Sequence, residues 1–467
     1  MAKADLLHFS GMLQDTTSTF LRRPDQLIRS INVHGDTIGS IRKRLGYANY
    51  GTSSDSESVL GLHTYNDIPG GTRYLYRYVN GKVQYSTGGA WSNAKVGLDT
   101  NPKVEFEEYL NQLFMVGVDS SSNYLTTANI DGTAYSETRN VTDAPTGRDI
   151  ALYKGKLYIA GTNDRLFFSS LPDSAGTTIT WTSTDFERIY TNNGEVLRAV
   201  HTNKVLNELL VFKDHSMHSW DTFRVRDIDN IGTTSHRSVV TIKGITYFFN
   251  SDGIWMYSGS VPKLISRGIE NWIYGIDQTK LEDVFAEKED EKTYKLYVGN
   301  IAVGGKLYTN CEIRYSTLDN TFTIYSYFDD MQVYASHTVS GVTRVYGGDS
   351  DGDVQQLAKR ADAVYSDDGN DIPIQFMFET DLGLPSERKS IDKALIYTTA
   401  AQNLSGRIRA KNGDWGTHFP INKTEEPVSV NSRDGRILQW HFSENSKNVP
   451  FMFEGLTFTT TLKTNKY

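Results

Sequence analysis

Cysteine is almost missing from this sequence: Cys311 stands alone, so no intrachain disulfide can form. It sits in the alternating run Leu307-Tyr308-Thr309-Asn310-Cys311-Glu312-Ile313, where a small buried strand residue is expected. Long apolar runs are missing too. Nowhere do about 18 apolar residues follow one another, and Met1-Ala2-Lys3-Ala4-Asp5 leads into no apolar segment of signal-peptide length. The expectation is a chain that folds in a cytosol and crosses no membrane. There is no excess of basic residues either. The 48 Lys and Arg stand against 56 Asp and Glu, a net charge of −8, which removes any bulk attraction to a polyanion and argues against a groove-reading DNA binder. A conduit around sliding DNA tolerates that balance, because every phosphate neutralised would add sequence-independent grip.

Helical periodicity is scarce. Pro24–Ser30, Leu281–Lys288 and Asp353–Arg360 are the best candidates, each about two turns long with apolar residues three or four apart. Catalytic signatures are missing as well. The sequence has no H-E-x-x-H, no G-x-S-x-G, no P-loop and no cysteine pair for zinc, so neither an enzyme nor a cofactor is expected.

What is present is strand chemistry. The chain has 27 Tyr against 7 Trp, and short aromatic and β-branched runs are cut by Gly, Asn, Asp and Ser. Thr72–Tyr78, Asn80-Gly81 and Lys82–Tyr85 read as strand, turn and strand; Lys154-Gly155 and Lys243-Gly244 are flanked in the same way. Asn250-Ser251-Asp252-Gly253 then leads into Ile254-Trp255-Met256-Tyr257. Such dipeptides supply the positive φ at both central positions that type I′ hairpins need.

Laid end to end, the hairpins fall into segments near 57–95, 104–140, 147–190, 196–237, 239–268, 283–328 and 330–358. That is the spacing of four-stranded blades, each with two apolar faces that only a neighbouring blade can cover. The predicted fold class is therefore all-β: a β-propeller of about six to eight blades over residues 51–360, with a set of β-sandwiches as the structural alternative. Residues 1–50 read as an N-terminal arm or strand extension, and 361–467, with longer alternating runs, as a C-terminal β-sandwich-like domain.

Few residues suggest chemistry. On a strand, His215 and His218 would point to opposite faces, so no shared metal is expected. Asp349, Asp351 and Asp353 begin like a calcium loop but lack the remaining oxygen ligands, so a hairpin turn is the simpler reading. Ser170–Trp181 resembles the Asp-box of sialidase propellers, in which the aspartate caps a hairpin and is structural. Arg42, Lys43 and Arg44, with Arg22 and Arg23 nearby, form a basic group able to meet DNA phosphates or an acidic neighbouring subunit. The competing reading is a solvated or interface-facing turn.

Three stretches carry a likeness. Leu27–Val33 followed by Gly39-Ser40-Ile41-Arg42-Lys43-Arg44-Leu45-Gly46-Tyr47 is the first, and Asn250–Gly259 with Lys263-Leu264-Ile265-Ser266 is the second. Asp351–Leu357 leading into Tyr365-Ser366-Asp367-Asp368-Gly369 is the third. Together they resemble the tail-hub or nozzle (tail stabilisation) β-propeller proteins of short-tailed bacteriophages; Leu45 stands where that family usually has proline.

The resemblance implies a non-enzymatic structural subunit, made in the bacterial cytoplasm and carried in the virion tail. It implies a homohexameric ring below the portal and adaptor proteins, beside tail fibres or spikes. Double-stranded DNA would pass through the lumen at ejection without sequence-specific binding. The alternatives are a host-surface glycan-binding tail module and a propeller-type glycosidase, which needs two carboxyls roughly 5–9.5 Å apart across a cleft.

Overall fold

A computed structural model describes residues 2–463 apart from 7–8, 10–25, 36–38, 53–54, 119–123, 162, 190–193, 381–387, 399–403, 422–425, 431–434 and 445–448. It is nearly all β. Among the described residues only Glu270–Tyr274 forms an α-helix, and no helix is long and apolar enough to cross a membrane.

Seven antiparallel sheets follow one another along the chain. Their first strands are Val59–Asp67, Lys103–Tyr109, Asp149–Tyr153, Ala199–Asn203, Val240–Ile242, Phe285–Glu289 and Met331–Val339. In the first six sheets strands pair in sequence order, and the seventh begins in the same way.

Alternation dictates how the sheets stack. In Gln112–Val118, Leu113 and Met115 pack toward the first sheet with Tyr65, Tyr76 and Val83. Phe114 and Val116 pack toward the third with Ile150 and Ile159. One strand thus fills two interfaces, because its side chains leave opposite faces. The same division repeats around the molecule. It ends with Val59, Leu62 and Leu75 of the first sheet against Val333, Tyr346 and Val354 of the seventh. First strands adjoin in order, and Thr64 Oγ1 donates to Ser336 O at 2.7 Å where the seventh sheet meets the first. The arrangement is propeller-like.

Part of the tyrosine excess has a repeated structural use. Tyr65, Tyr109 and Tyr153, near or at the ends of the first three first strands, donate to Asn111 O, Gly155 O and Asn207 O in the next sheet's opening turn, at 2.7, 2.6 and 2.8 Å. Asn203 makes the fourth such bond, to Gly244 O at 2.8 Å. The expected type I′ geometry is present at Asn80-Gly81, Lys154-Gly155 and Lys243-Gly244, where both residues have positive φ. At Asp252-Gly253 only the glycine does.

Cys311 is fully buried in the strand Lys306–Ser316, and burial pushes its thiol up to about 12. The thiol should not react with a maleimide at neutral pH until the protein unfolds; labelling followed by mass spectrometry checks this.

The first fifty residues do extend as strands, but they are built into the rest of the fold. Tyr47–Asn49 pairs antiparallel with Val354–Leu357 and continues the seventh sheet, which Ser366–Asp367 and Asn370–Asp371 extend further. Leu27–Ile31 forms the edge of a five-stranded sheet with Ile374–Thr380, Leu438–Glu444, Leu404–Ala410 and Phe419–Ile421. Val33–Gly35 and Ile41–Lys43 join a second sheet with Met452–Lys463, Arg388–Thr398 and Glu426–Ser429. One core closes both, with Leu27, Val33 and Ile41 packed among Phe376, Trp440, Phe442 and Phe453. The C-terminal sandwich is therefore completed by N-terminal strands.

None of the three expected helices is an α-helix. Leu27–Ile31 and Val354–Leu357 are strands, and Gln278–Asp283 is a 3-10 turn before Phe285–Glu289. Over seven residues, apolar spacing of three or four matches a helix and a strand buried on both faces equally well.

Candidate functional site

Two places bring polar side chains together. The first is the junction between the seven sheets and the sandwich, where the basic triplet ends up. Arg44 is completely buried, and its guanidinium meets Asp367 twice, at 2.7 and 2.5 Å. Nε donates to Asn32 Oδ1 at 2.8 Å, and the terminal nitrogens also reach Leu45 O and Ser326 O. The guanidinium lies 4.5 Å from the Tyr327 ring centre. Burial opposes the charge, but Asp367 more than offsets it and raises the arginine above its ordinary value. Lys43, also buried, lies 3.4 Å from Glu444 of the sandwich, and burial lowers its ammonium.

These two cations therefore face no solvent, DNA phosphate or neighbouring subunit. The expectation of a basic surface fails for Lys43 and Arg44 because each has a carboxylate waiting inside the fold. Arg42 is half-buried, and Arg22 and Arg23 lie outside the described residues.

The rest of the motif serves the same joint. Gly46 packs so closely on the Ser366 backbone that a Cβ would fall 1.9 Å from Ser366 O. Tyr47 is buried and donates to Asp329 Oδ2 at 2.7 Å. The Gly39–Tyr47 stretch and the Tyr365–Gly369 stretch, more than 300 residues apart, thus meet in one knot. No charge pattern in the sequence announced Asp367 as the partner.

The second place is the axis. The seven first strands leave a cavity of about 650 Å³, too small for a duplex whose major groove alone is about 12 Å wide. A 3-10 turn, His236–Ser238, reaches this cavity from the fourth-to-fifth crossing. Arg237 donates to Leu60 O at 2.6 Å, to Val104 O at 2.9 Å and to the Glu105 carboxylate. Burial alone would raise Glu105, but Arg237 and His236 hold it down at about 2. Asp149 goes the opposite way, raised by burial and by the Glu105 charge, while its oxygens accept from Ile150 N and Val200 N. Burial also pushes Glu107 up to about 7 and holds His63, His201 and His236 near 4.

Glu107 is thus a cavity carboxyl poised to exchange a proton near neutrality. Its raised value means the native chain holds a proton that the unfolded chain releases. This contribution is full below the ordinary carboxyl range and is lost as pH rises through about 7. The histidines run the other way, losing their contribution as pH falls from 6.5 toward 4. Glu107→Gln should therefore gain stability relative to wild type between pH 5 and about 7.5, read by urea unfolding at both pH values.

The remaining candidates are structural. His218 is buried and meets Asp227 Oδ1 at 2.7 Å, while His215 is exposed and meets Glu195, so the two share no site. Among the described residues no group of three or more His, Cys, Asp or Glu could hold a metal. Asp349 accepts from Asp351 N, Asp353 N and Gln355 Nε2, an Asx-type turn. Asp173 caps its hairpin by accepting from Thr177 N and Thr178 N.

No family model matches the sequence, and no curated protein matches it. Among solved structures it is similar to the extracellular domain of a one-component system from B. thetaiotaomicron, at 11% identity and a TM-score of 0.44. That similarity covers 90% of this chain, which spans 65% of the other.

Proposed function

We propose that the chain is a non-enzymatic structural subunit of the tail hub or nozzle ring of a short-tailed bacteriophage, built on a seven-bladed β-propeller. The ring extends the DNA conduit below portal and adaptor and stays closed until ejection. One observation carries this reading: two of the three stretches that resemble that family converge on the buried Arg44–Asp367 knot. A shared motif whose residues build a joint fits a scaffold. The axial cavity is too small for a duplex, so DNA passes through a lumen enclosed by several copies.

The test is assembly. Purified protein mixed with portal and adaptor should give closed rings in negative-stain images, with six copies by mass. A chain that stays monomeric under those conditions and hydrolyses or captures a host glycan would overturn the reading. The glycosidase alternative has its best acid in Glu107, but Glu105 and Asp149 beside it are already engaged by Arg237 and by two backbone amides.

A further inference from the structure

We propose that this chain docks on a second copy of itself, head to tail, through two complementary patches on opposite faces of the stacked sheets; this rests on the ring reading above. Strand direction alternates within each sheet. The turns after the first and third strands therefore share one face, and the turns after the second strands share the other with the crossings between sheets.

On the first face, the third to fifth sheets present Leu171, Val205, Phe223 and Val261, which are 58%, 71%, 91% and 65% exposed. Neighbouring turns touch: Lys154 Nζ donates to Asp221 O at 3.2 Å, and Gly244 and Gly259 pack on Val205 and Leu206. Lys154, Lys204, Arg224, Lys243 and Lys263 are exposed around these apolar tips, against Asp173 and against Asp221, which pairs with Arg224. A protein of net charge −8 thus carries a basic, apolar-centred patch.

The opposite face has the complement. There the 265–283 segment, beside the 250–253 turn, exposes Tyr274 by 63%, bonded to Glu270. Asp252, Glu270, Asp277, Glu282 and Asp283 are exposed on this face, against Arg267 and Lys280, with Glu282 and Asp283 also reached by the half-buried Arg198 and Lys103. Apolar centres ringed by opposite charge are what a specific contact between copies needs, the charge setting orientation and the apolar area supplying most of the free energy. Because the patches differ and face opposite ways, the contact is heterologous and gives a ring when its rotation closes.

The test uses charge exchange in the full chain. Lys204→Glu, Arg224→Glu and Lys263→Glu together make both patches acidic; Asp252→Lys with Glu270→Lys makes both basic. Each variant alone should self-associate roughly tenfold more weakly than wild type in sedimentation velocity. An equal mixture should recover assembly, because acidic and basic copies can alternate. If both variants assemble like wild type, the patches are not the interface, and the ring reading survives. If wild type is monomeric at every concentration, with and without portal and adaptor, both readings fall. Cross-linking gives a readout independent of those variants, since Cys311 is buried. Phe223→Cys and Tyr274→Cys chains should be joined by a bis-maleimide when mixed and not when separate; equal yields in all three samples would overturn the docking.

Discussion

Replacing Arg44 by methionine is expected to cost about 3–5 kcal/mol, because it strands the buried Asp367 carboxylate without its cation. Four acceptors lose a donor at once: Asn32 Oδ1, Leu45 O, Ser326 O and Asp367 itself. Asn32 is a hub in its own right, bonded to Pro373 O and accepting from Ser326 N, so the loss reaches the sandwich as well as the sixth sheet. Asp367→Leu should cost a similar amount. Pairing Arg44→Met with Asp367→Leu should recover part of it, since an apolar pair of similar volume is often as stable as a buried ion pair. Urea unfolding followed by tryptophan fluorescence gives the four values of the cycle. Salt should hardly change them, because a buried pair is weakly screened. A loss under about 0.5 kcal/mol for Arg44→Met, the range of an ordinary surface change, would show that the knot does not hold the two regions together.

Trp440→Ala should be equally costly, about 3–5 kcal/mol, for a different reason. Trp440 is fully buried, pairs across strands with Phe378 and lies 6.2 and 6.1 Å from the ring centres of Phe378 and Phe442. Removing the indole leaves a void in a rigid aromatic layer that has little freedom to collapse. The loss should fall on the sandwich first. In calorimetry the variant should show an early transition for that domain and a later one for the seven sheets. A single undivided transition at the wild-type temperature would show that Trp440 carries little of the packing.

Most sheet segments were legible in the sequence to within a few residues, while the fourth sheet ends at Asp229, short of the segment 196–237. The segment 283–328 corresponds to strands spanning Phe285–Ser326, and 104–140 to Lys103–Ser136. The signals were local: paired positive-φ turn residues and period-two alternation act within about ten residues of chain. Apart from the three expected helices, where seven-residue spacing is ambiguous, the failures were non-local. Tyr47–Asn49 is too short to show any period, and only Val354–Leu357, hundreds of residues later, makes it a strand. Lys43 and Arg44 look like surface residues until Glu444 and Asp367 are brought beside them. The axial cluster was invisible because Glu105, Asp149 and Arg237 come from the second sheet, the third sheet and a crossing further on.

The seventh sheet also fixes the order in which a nascent chain can mature. Its strand Tyr47–Asn49 leaves the ribosome early, yet its partner Val354–Leu357 emerges some 300 residues later. The six preceding sheets can pair as they are synthesised, each from contiguous sequence, while the early strand waits unsatisfied. Joining them closes a very long loop, a step that is slow for entropic reasons but adds little cost at equilibrium. Until then the outer edge of the seventh sheet stays unpaired, and a chain cut short before residue 354 would leave that edge bare and Val59, Leu62 and Leu75 without Val354, exposed to aggregation.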